Sequence, residues 1–148
     1  NPTGAVGVRD VVYQKQVINL PGCPAHPDWI VGTIAHLLVY GQATALDSYG
    51  RPQLFYQKSV HSLCPNKQKF YDKAIFAQKL GEEGCLFKLG CQGQCTGADC
   101  PLRKWNSATG GEYGDTWCIG ARNPCQGCTE PDFPDGRSPW YTLEQPKV

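Results

Sequence analysis

The chain contains no methionine, no run of more than two lysines or arginines, and no apolar stretch of bilayer length. Each absence closes off a class of function. Lys+Arg 14 against Asp+Glu 13 leaves a formal charge of +1. Without a basic stripe there is no electrostatic footprint for a phosphate backbone, and no nucleic-acid partner is expected. The longest apolar run, residues 29–40, is interrupted by Gly32, Thr33 and His36, whereas a membrane-spanning helix needs about 20 apolar residues. No charged-then-apolar leader precedes the first residues, which start at Asn1, so a fragment or processed product is expected. With 148 residues, 41% of them apolar, there is material for one core but not for two full ones.

What the chain has in abundance is cysteine, nine residues, together with 17 glycines and 12 prolines. The cysteines stand at Cys23, Cys64, Cys85, Cys91, Cys95, Cys100, Cys118, Cys125 and Cys128. A secreted disulfide framework has an even count and little hydrophobic core. Here the count is odd and residues 26–41 read as a core helix. Metal-ligating thiolates need no even number, because histidine, carboxylate or a partner can complete a set, and they are the favoured reading.

The local pattern predicts a mainly α chain with long irregular loops. Gln16–Leu20 reads as a short strand belonging to a sheet whose other strands are absent, and Pro21-Gly22-Cys23-Pro24 as a turn. A helix should start at His26 or Pro27 and stop at Gly41, burying a stripe of residues 30, 31, 34, 37 and 38. Asp47 to Pro52 reads as a turn, and Phe70 to Leu80 as a second helix with Ala74 and Ala77 on its apolar face and Gly81 as its end. From Gly81 onward no periodicity lasts. A structureless stretch of that length inside a compact domain requires another organiser, and metal clusters are the economical one.

His61 and Cys64, three residues apart, can reach one metal from a turn. Cys85 and Cys91 flank the apolar Leu86, Phe87 and Leu89, which suit a dry shell. Together these four are donors of the right softness for zinc or an iron-sulfur cluster. Cys100, Cys118, Cys125 and Cys128 form a second set anchored by Pro124-Cys125-Gln126-Gly127-Cys128. Spacing alone leaves zinc and iron both open.

Several stretches, in order along nearly the whole chain, carry a resemblance. They are Asn1-Pro2-Thr3-Gly4-Ala5-Val6-Gly7, Ile18 through Trp29 around Pro21-Gly22-Cys23-Pro24, and Leu46 through Pro52. They continue with Val60-His61-Ser62-Leu63-Cys64-Pro65, Cys85 through Cys91, and Pro124 through Pro131. In these the chain resembles the C-terminal iron-sulfur domain of the nickel-iron hydrogenase small subunit. The resemblance implies an electron-transfer subunit that relays electrons from H2 oxidation at a nickel-iron site in a separate large subunit, through proximal, medial and distal clusters, to an electron acceptor protein or quinone-linked partner. It implies that His61, Cys64, Cys85 and Cys91 hold a distal 4Fe-4S cluster. Cys100, Cys125 and Cys128 would hold the medial one, and Cys23 would be one ligand of a proximal 4Fe-4S cluster shared with the missing N-terminal part. Residues 1–22 would then be the tail of an α/β flavodoxin-like domain and 23–148 the cluster domain, with no catalytic residue in this chain.

The chain departs from the family pattern at two cysteines. Many members have proline where Cys118 stands, seven residues before Cys125, and carry a three-iron medial cluster; with Cys118 a 4Fe-4S medial cluster is expected, and 3Fe-4S without its participation. The loop between Cys100 and Cys125 is longer than the common pattern, with Gly110, Gly111 and Gly114 marking the insertion between Asn106 and Thr116. Cys95 matches no ligand and reads as a spare buried thiol. Trp29, Trp105, Phe133 and Trp140 read as core or interface aromatics, and Tyr113 and the carboxylates as ordinary surface. The family resemblance leans towards a membrane-associated or periplasmic location, with cytoplasmic the alternative. Competing functional readings are a free-standing two-cluster ferredoxin-like carrier and a zinc- or disulfide-stabilised binding module.

Overall fold

The computed structural model describes residues 4–73, 75–105, 117–134 and 136. Its helices are α1 (Val8–Val11), α2 (Pro27–Tyr40), α3 (Gln53–Tyr56), α4 (Val60–Leu63), α5 (Lys67–Tyr71) and α6 (Cys100–Arg103), with 3-10 turns at Phe87–Leu89 and Gly93–Cys95. Among the described residues there is no strand, only isolated bridges at Leu46 with Pro52, Ser59 with Gly97, and Phe76 with Cys85. The expectations for Ala74, for Gly110, Gly111, Tyr113 and Gly114 in the insertion, and for Trp140 lie outside the described residues.

α2 forms where the sequence places it. The His26 Nδ1 accepts from the Asp28 amide, 3.1 Å away, at the helix start, Pro27 occupies a position whose missing N–H costs nothing, and Gly41 closes the helix with φ +67. Its buried side differs from the expected one. Trp29 and Thr33 face inward, whereas Ile30, Val31, Ile34 and Leu38 are 42%, 64%, 51% and 81% exposed. Apolar residues surround most of this helix, so tertiary fit selects the inner side. The Trp29 indole N–H donates to Asp99 Oδ1 at 2.7 Å, and the Phe55 ring lies where a Gly32 Cβ would be only 2.9 Å from its Cζ. The outward stripe leaves roughly 1.5–3 kcal/mol of burial unrealised per large side chain.

Two further expectations fail for lack of partners. Gln16–Leu20 is not a strand: no neighbouring strand is present among the described residues to pair it. It is held instead by the Asn19 amide on Gly50 O, 2.9 Å, and the Asn19 side-chain amide on Tyr49 O, 2.6 Å. The second helix spans Lys67–Tyr71 rather than Phe70 to Leu80. It stops because Lys73 takes φ +51 and the chain folds back, pairing Cys85 N with Ile75 O at 2.9 Å and Ala77 N with Cys85 O at 3.0 Å. Distant pairing outweighs the local helical pattern.

The core joins Trp29, Phe55, Tyr56, Val60, Leu86, Leu89, Ala98, Trp117 and Ile119. Cys64, Cys91 and Cys100 pack against it, so the interior is shared between aromatic side chains and thiols. None of the nine cysteines is joined in a disulfide. Trp29 is a core aromatic as expected, Trp105 is 40% exposed and Phe133 is half-buried.

Candidate metal centres

Two chambers collect the candidate ligands. The first is lined by His61, Cys64, Cys85 and Cys91 together with Leu86, Phe87 and Ile119. α4 supplies the first two. Ser59 caps it, its Oγ accepting from the Ser62 amide at 3.1 Å, which fixes His61 in the helix and Cys64 at its extended end. Cys85 sits at the bridge to Phe76. Cys91 follows Gly90, whose φ of +83 ends the 3-10 turn and turns the chain back towards the chamber.

His61 is the most informative group. Its Nε2 is a buried nitrogen with no hydrogen-bond partner among the described residues, a costly arrangement unless something else binds there. Burial, and secondarily the charge of Lys67, push its pKa down, which leaves the imidazole neutral with its lone pair available. The ring meets Phe70 and Tyr71 edge-on at centroid distances of 4.9 and 5.7 Å. The sequence pattern hides this aromatic brace, because it places Phe70 in a longer helix.

The second chamber is lined by Cys100, Cys118, Cys125 and Cys128, with Cys23 at its wall and Trp29, Trp105 and Trp117 around it. Cys100 opens α6, and Cys125 and Cys128 lie on the loop turned by Gly127 at φ +76. Cys118 exposes part of its surface yet lines the same chamber, and charge at Cys128 and Cys118 is felt at Cys100. Cys23 is exposed, and its amide donates to the Cys128 sulfur. Cys95 lines neither chamber: its thiol sits 3.3 Å from both the backbone and side-chain oxygens of Gln92.

Amide donors converge on the sulfurs in a repeated way. Cys64, Cys85, Cys91 and Cys125 accept from the amides of Asn66, Phe87, Gly93 and Gly127, each two residues further on. The Cys125 amide also points at the Cys91 sulfur, 3.4 Å away, so the two chambers are adjacent. Burial pushes every one of these thiols up, Cys91 to about 11 and Cys100 to about 12. The sulfurs are therefore protonated at neutral pH and would release protons on binding a metal.

The donor set fits iron-sulfur clusters better than a mononuclear ion. Zinc requires donors within about 2.0–2.3 Å of one point, and among the described residues no three His, Cys, Asp or Glu side chains converge on one. The donors instead line the walls of two pockets without converging on a single point, an arrangement that suits a polyatomic group rather than one ion.

A buried ionic latch holds the second chamber, and it corrects the reading of the carboxylates as ordinary surface. Arg51 is 7% exposed. Its Nε donates to Asp47 Oδ2 at 2.6 Å, and its Nη1 to Thr129 O at 2.9 Å and Glu130 Oε1 at 3.0 Å. Glu130 also accepts the Gly97 amide at 2.7 Å, and Gly97 lies so close to the Tyr56 carbonyl that no side chain would fit. The loop carrying Cys128 is thereby tied to the turn at residues 47–51 and to the segment leading into Cys100. The sequence signal was present: both Leu46–Pro52 and Thr129-Glu130-Pro131 belong to the stretches that carry the family resemblance.

The described residues form a scaffold of helices and loops without strands, its interior divided between aromatic side chains and two thiol-lined chambers. Residues 56–141 match the family model for the C-terminal region of the NiFe/NiFeSe hydrogenase small subunit. The chain is 43% identical to the periplasmic [NiFeSe] hydrogenase small subunit of Desulfomicrobium baculatum over 97% of its own length and 46% of that protein. It is 39% identical to the F420 non-reducing hydrogenase II small subunit of Methanosarcina mazei over 95% of the chain and 36% of the relative. The crystal structure of a reduced, active form of the Ni-Fe-Se hydrogenase from Desulfomicrobium baculatum superposes with a TM-score of 0.80 at 42% identity, covering 97% of this chain and 53% of that one. The chain belongs to the nickel-iron hydrogenase small-subunit family. It spans less than half the length of the two curated relatives described.

Proposed function

We propose that this chain is the cluster-bearing C-terminal part of the electron-transfer subunit of a nickel-iron hydrogenase, relaying electrons between H2 chemistry in a large subunit and an external acceptor. The observation that carries the reading is the unpartnered, buried His61 Nε2 on the wall of a chamber that holds three thiols. His61, Cys64, Cys85 and Cys91 would hold the distal 4Fe-4S cluster, and Cys100, Cys118, Cys125 and Cys128 a 4Fe-4S medial cluster. Cys23 would be a ligand of the proximal cluster shared with the N-terminal part. Residues 1–22 are read as the tail of the flavodoxin-like domain.

Bound clusters would supply one-electron oxidation and reduction. The protein's own residues set the conditions. His61 gives a neutral donor in place of a fourth thiolate, so the first site carries one negative charge fewer, and the amides two residues beyond the cysteines draw charge from the sulfurs. Leu86, Phe87 and Ile119 line the chamber with apolar surface. The apolar stripe of α2, close in sequence to Cys23, supports docking of the large subunit there. The name of the Desulfomicrobium relative supports a periplasmic location. Among the described residues no helix is long and apolar enough to cross a membrane.

His61→Cys is expected to retain its cluster while lowering its potential by on the order of 100 mV, because a charged thiolate replaces a neutral imidazole. Redox titration followed by paramagnetic resonance measures this. An unchanged potential with an unchanged spectrum would remove His61 from the ligand set.

A further inference from the structure

The region around the first chamber differs in charge from the rest of the chain. Residues 58–88 contain six lysines against three carboxylates, a formal +3, while the entire chain carries +1; the remainder is therefore net acidic. Two of the six are neutralised, Lys69 by Glu83 at 3.2 Å and Lys79 by Glu82 at 3.7 Å. Lys67, Lys73 and Lys88 make no ion pair with a carboxylate among the described residues. Lys67 Nζ donates to Ser62 O, 3.3 Å away, beside His61. Lys88 Nζ lies 4.9 Å from the centre of the Phe76 ring, which in turn meets Phe70, the brace of His61. Lys73 follows Tyr71 by two residues. Tyr71 touches the His61 ring and is 60% exposed, so an aromatic contact leads from the chamber wall to the surface; the segment's third carboxylate, Asp72, accepts a hydrogen bond from the Gln68 side chain at 2.7 Å, and the segment keeps its net positive charge.

We infer that this lysine-rich face beside the first chamber, with the exposed Tyr71, Lys67 beside His61 and Lys88 against Phe76, docks an electron-transfer protein with an acidic face. The inference rests on the proposed electron-transfer role and names the chemistry of its acceptor. Charge complementarity selects that occupant: the net positive charge of residues 58–88 steers an acidic protein towards this face, repels a basic one, and acts mainly on the association rate. Tyr71 gives the contact apolar area at low conformational cost.

The test uses the iron-loaded protein, and separately a charge-reversed Lys73→Glu/Lys88→Glu variant, against three probes. These are an acidic plant-type ferredoxin, basic cytochrome c, and vesicles of phosphatidylglycerol. Calorimetry and stopped-flow mixing at low and high salt should show the ferredoxin binding best, with its association slowed by salt and about tenfold slower for the variant at low salt. Reduction of the variant by a small viologen, which needs no docking surface, should match that of the unmodified protein. Equal binding of ferredoxin and cytochrome c, unaltered association in the variant, or preferential binding to the vesicles would overturn the inference. Loss of the iron absorption itself would count against the proposed electron-transfer role, while the ferredoxin binding data would still judge the docking surface.

Discussion

Arg51→Met is expected to destabilise the folded chain by about 3–5 kcal/mol, because it strips the counter-charge from two largely buried carboxylates. Asp47 and Glu130 have side-chain exposures of only 21% and 11%. The loss should also depend on pH. Burial would raise the Asp47 pKa, but the Arg51 amide and guanidinium, with the Tyr49 amide, outweigh it and hold the carboxyl below its ordinary value. A carboxylate with a lowered folded pKa contributes stability that is present above its unfolded value and lost as pH falls through the folded one. The gap between the original protein and Arg51→Met should therefore be widest near neutral pH and shrink below about pH 4. Denaturant unfolding at a series of pH values measures it, and a gap that stays constant down to acid pH would show that Asp47 takes no part in the latch.

Cys118→Pro should change the chemistry of the second chamber. A cubane deprived of one thiolate tends to lose the uncoordinated iron, so the variant is expected to hold a three-iron cluster there, with a higher potential. Cys95→Ala should leave that centre unaltered, since the Cys95 thiol faces Gln92 and lines neither chamber. Paramagnetic resonance of the oxidised proteins distinguishes the cases. Three irons at this site in the unmodified protein, or a loss of iron caused by Cys95→Ala, would contradict the ligand assignment.

The cysteine positions were legible in the sequence because ligand spacing is local: His61 and Cys64 are joined by one helical turn, and Cys125 and Cys128 by one loop. α2 was legible for the same reason, as its proline, its capping histidine and its terminal glycine act within a few residues of the helix. Its buried side was not, because that depends on Asp99 and Phe55, far along the chain. Phe70 to Leu80 has a helical pattern that yields to the pairing of Ala77 with Cys85, a contact with no signature in the segment itself. Arg51 and Glu130 are 79 residues apart, and composition alone gives no reason to suppose that either is buried. Short-range spacing marks the candidate donors, and long-range packing decides how they are presented.

Iron and acid-labile sulfide analysis, combined with Mössbauer spectroscopy of the purified, anaerobically reconstituted chain, tests the central claim most directly. Two cubane clusters, one in each chamber, predict about eight irons and eight sulfides per chain and a broad visible absorption. A colourless protein that takes up zinc and no iron at these cysteines would contradict the account.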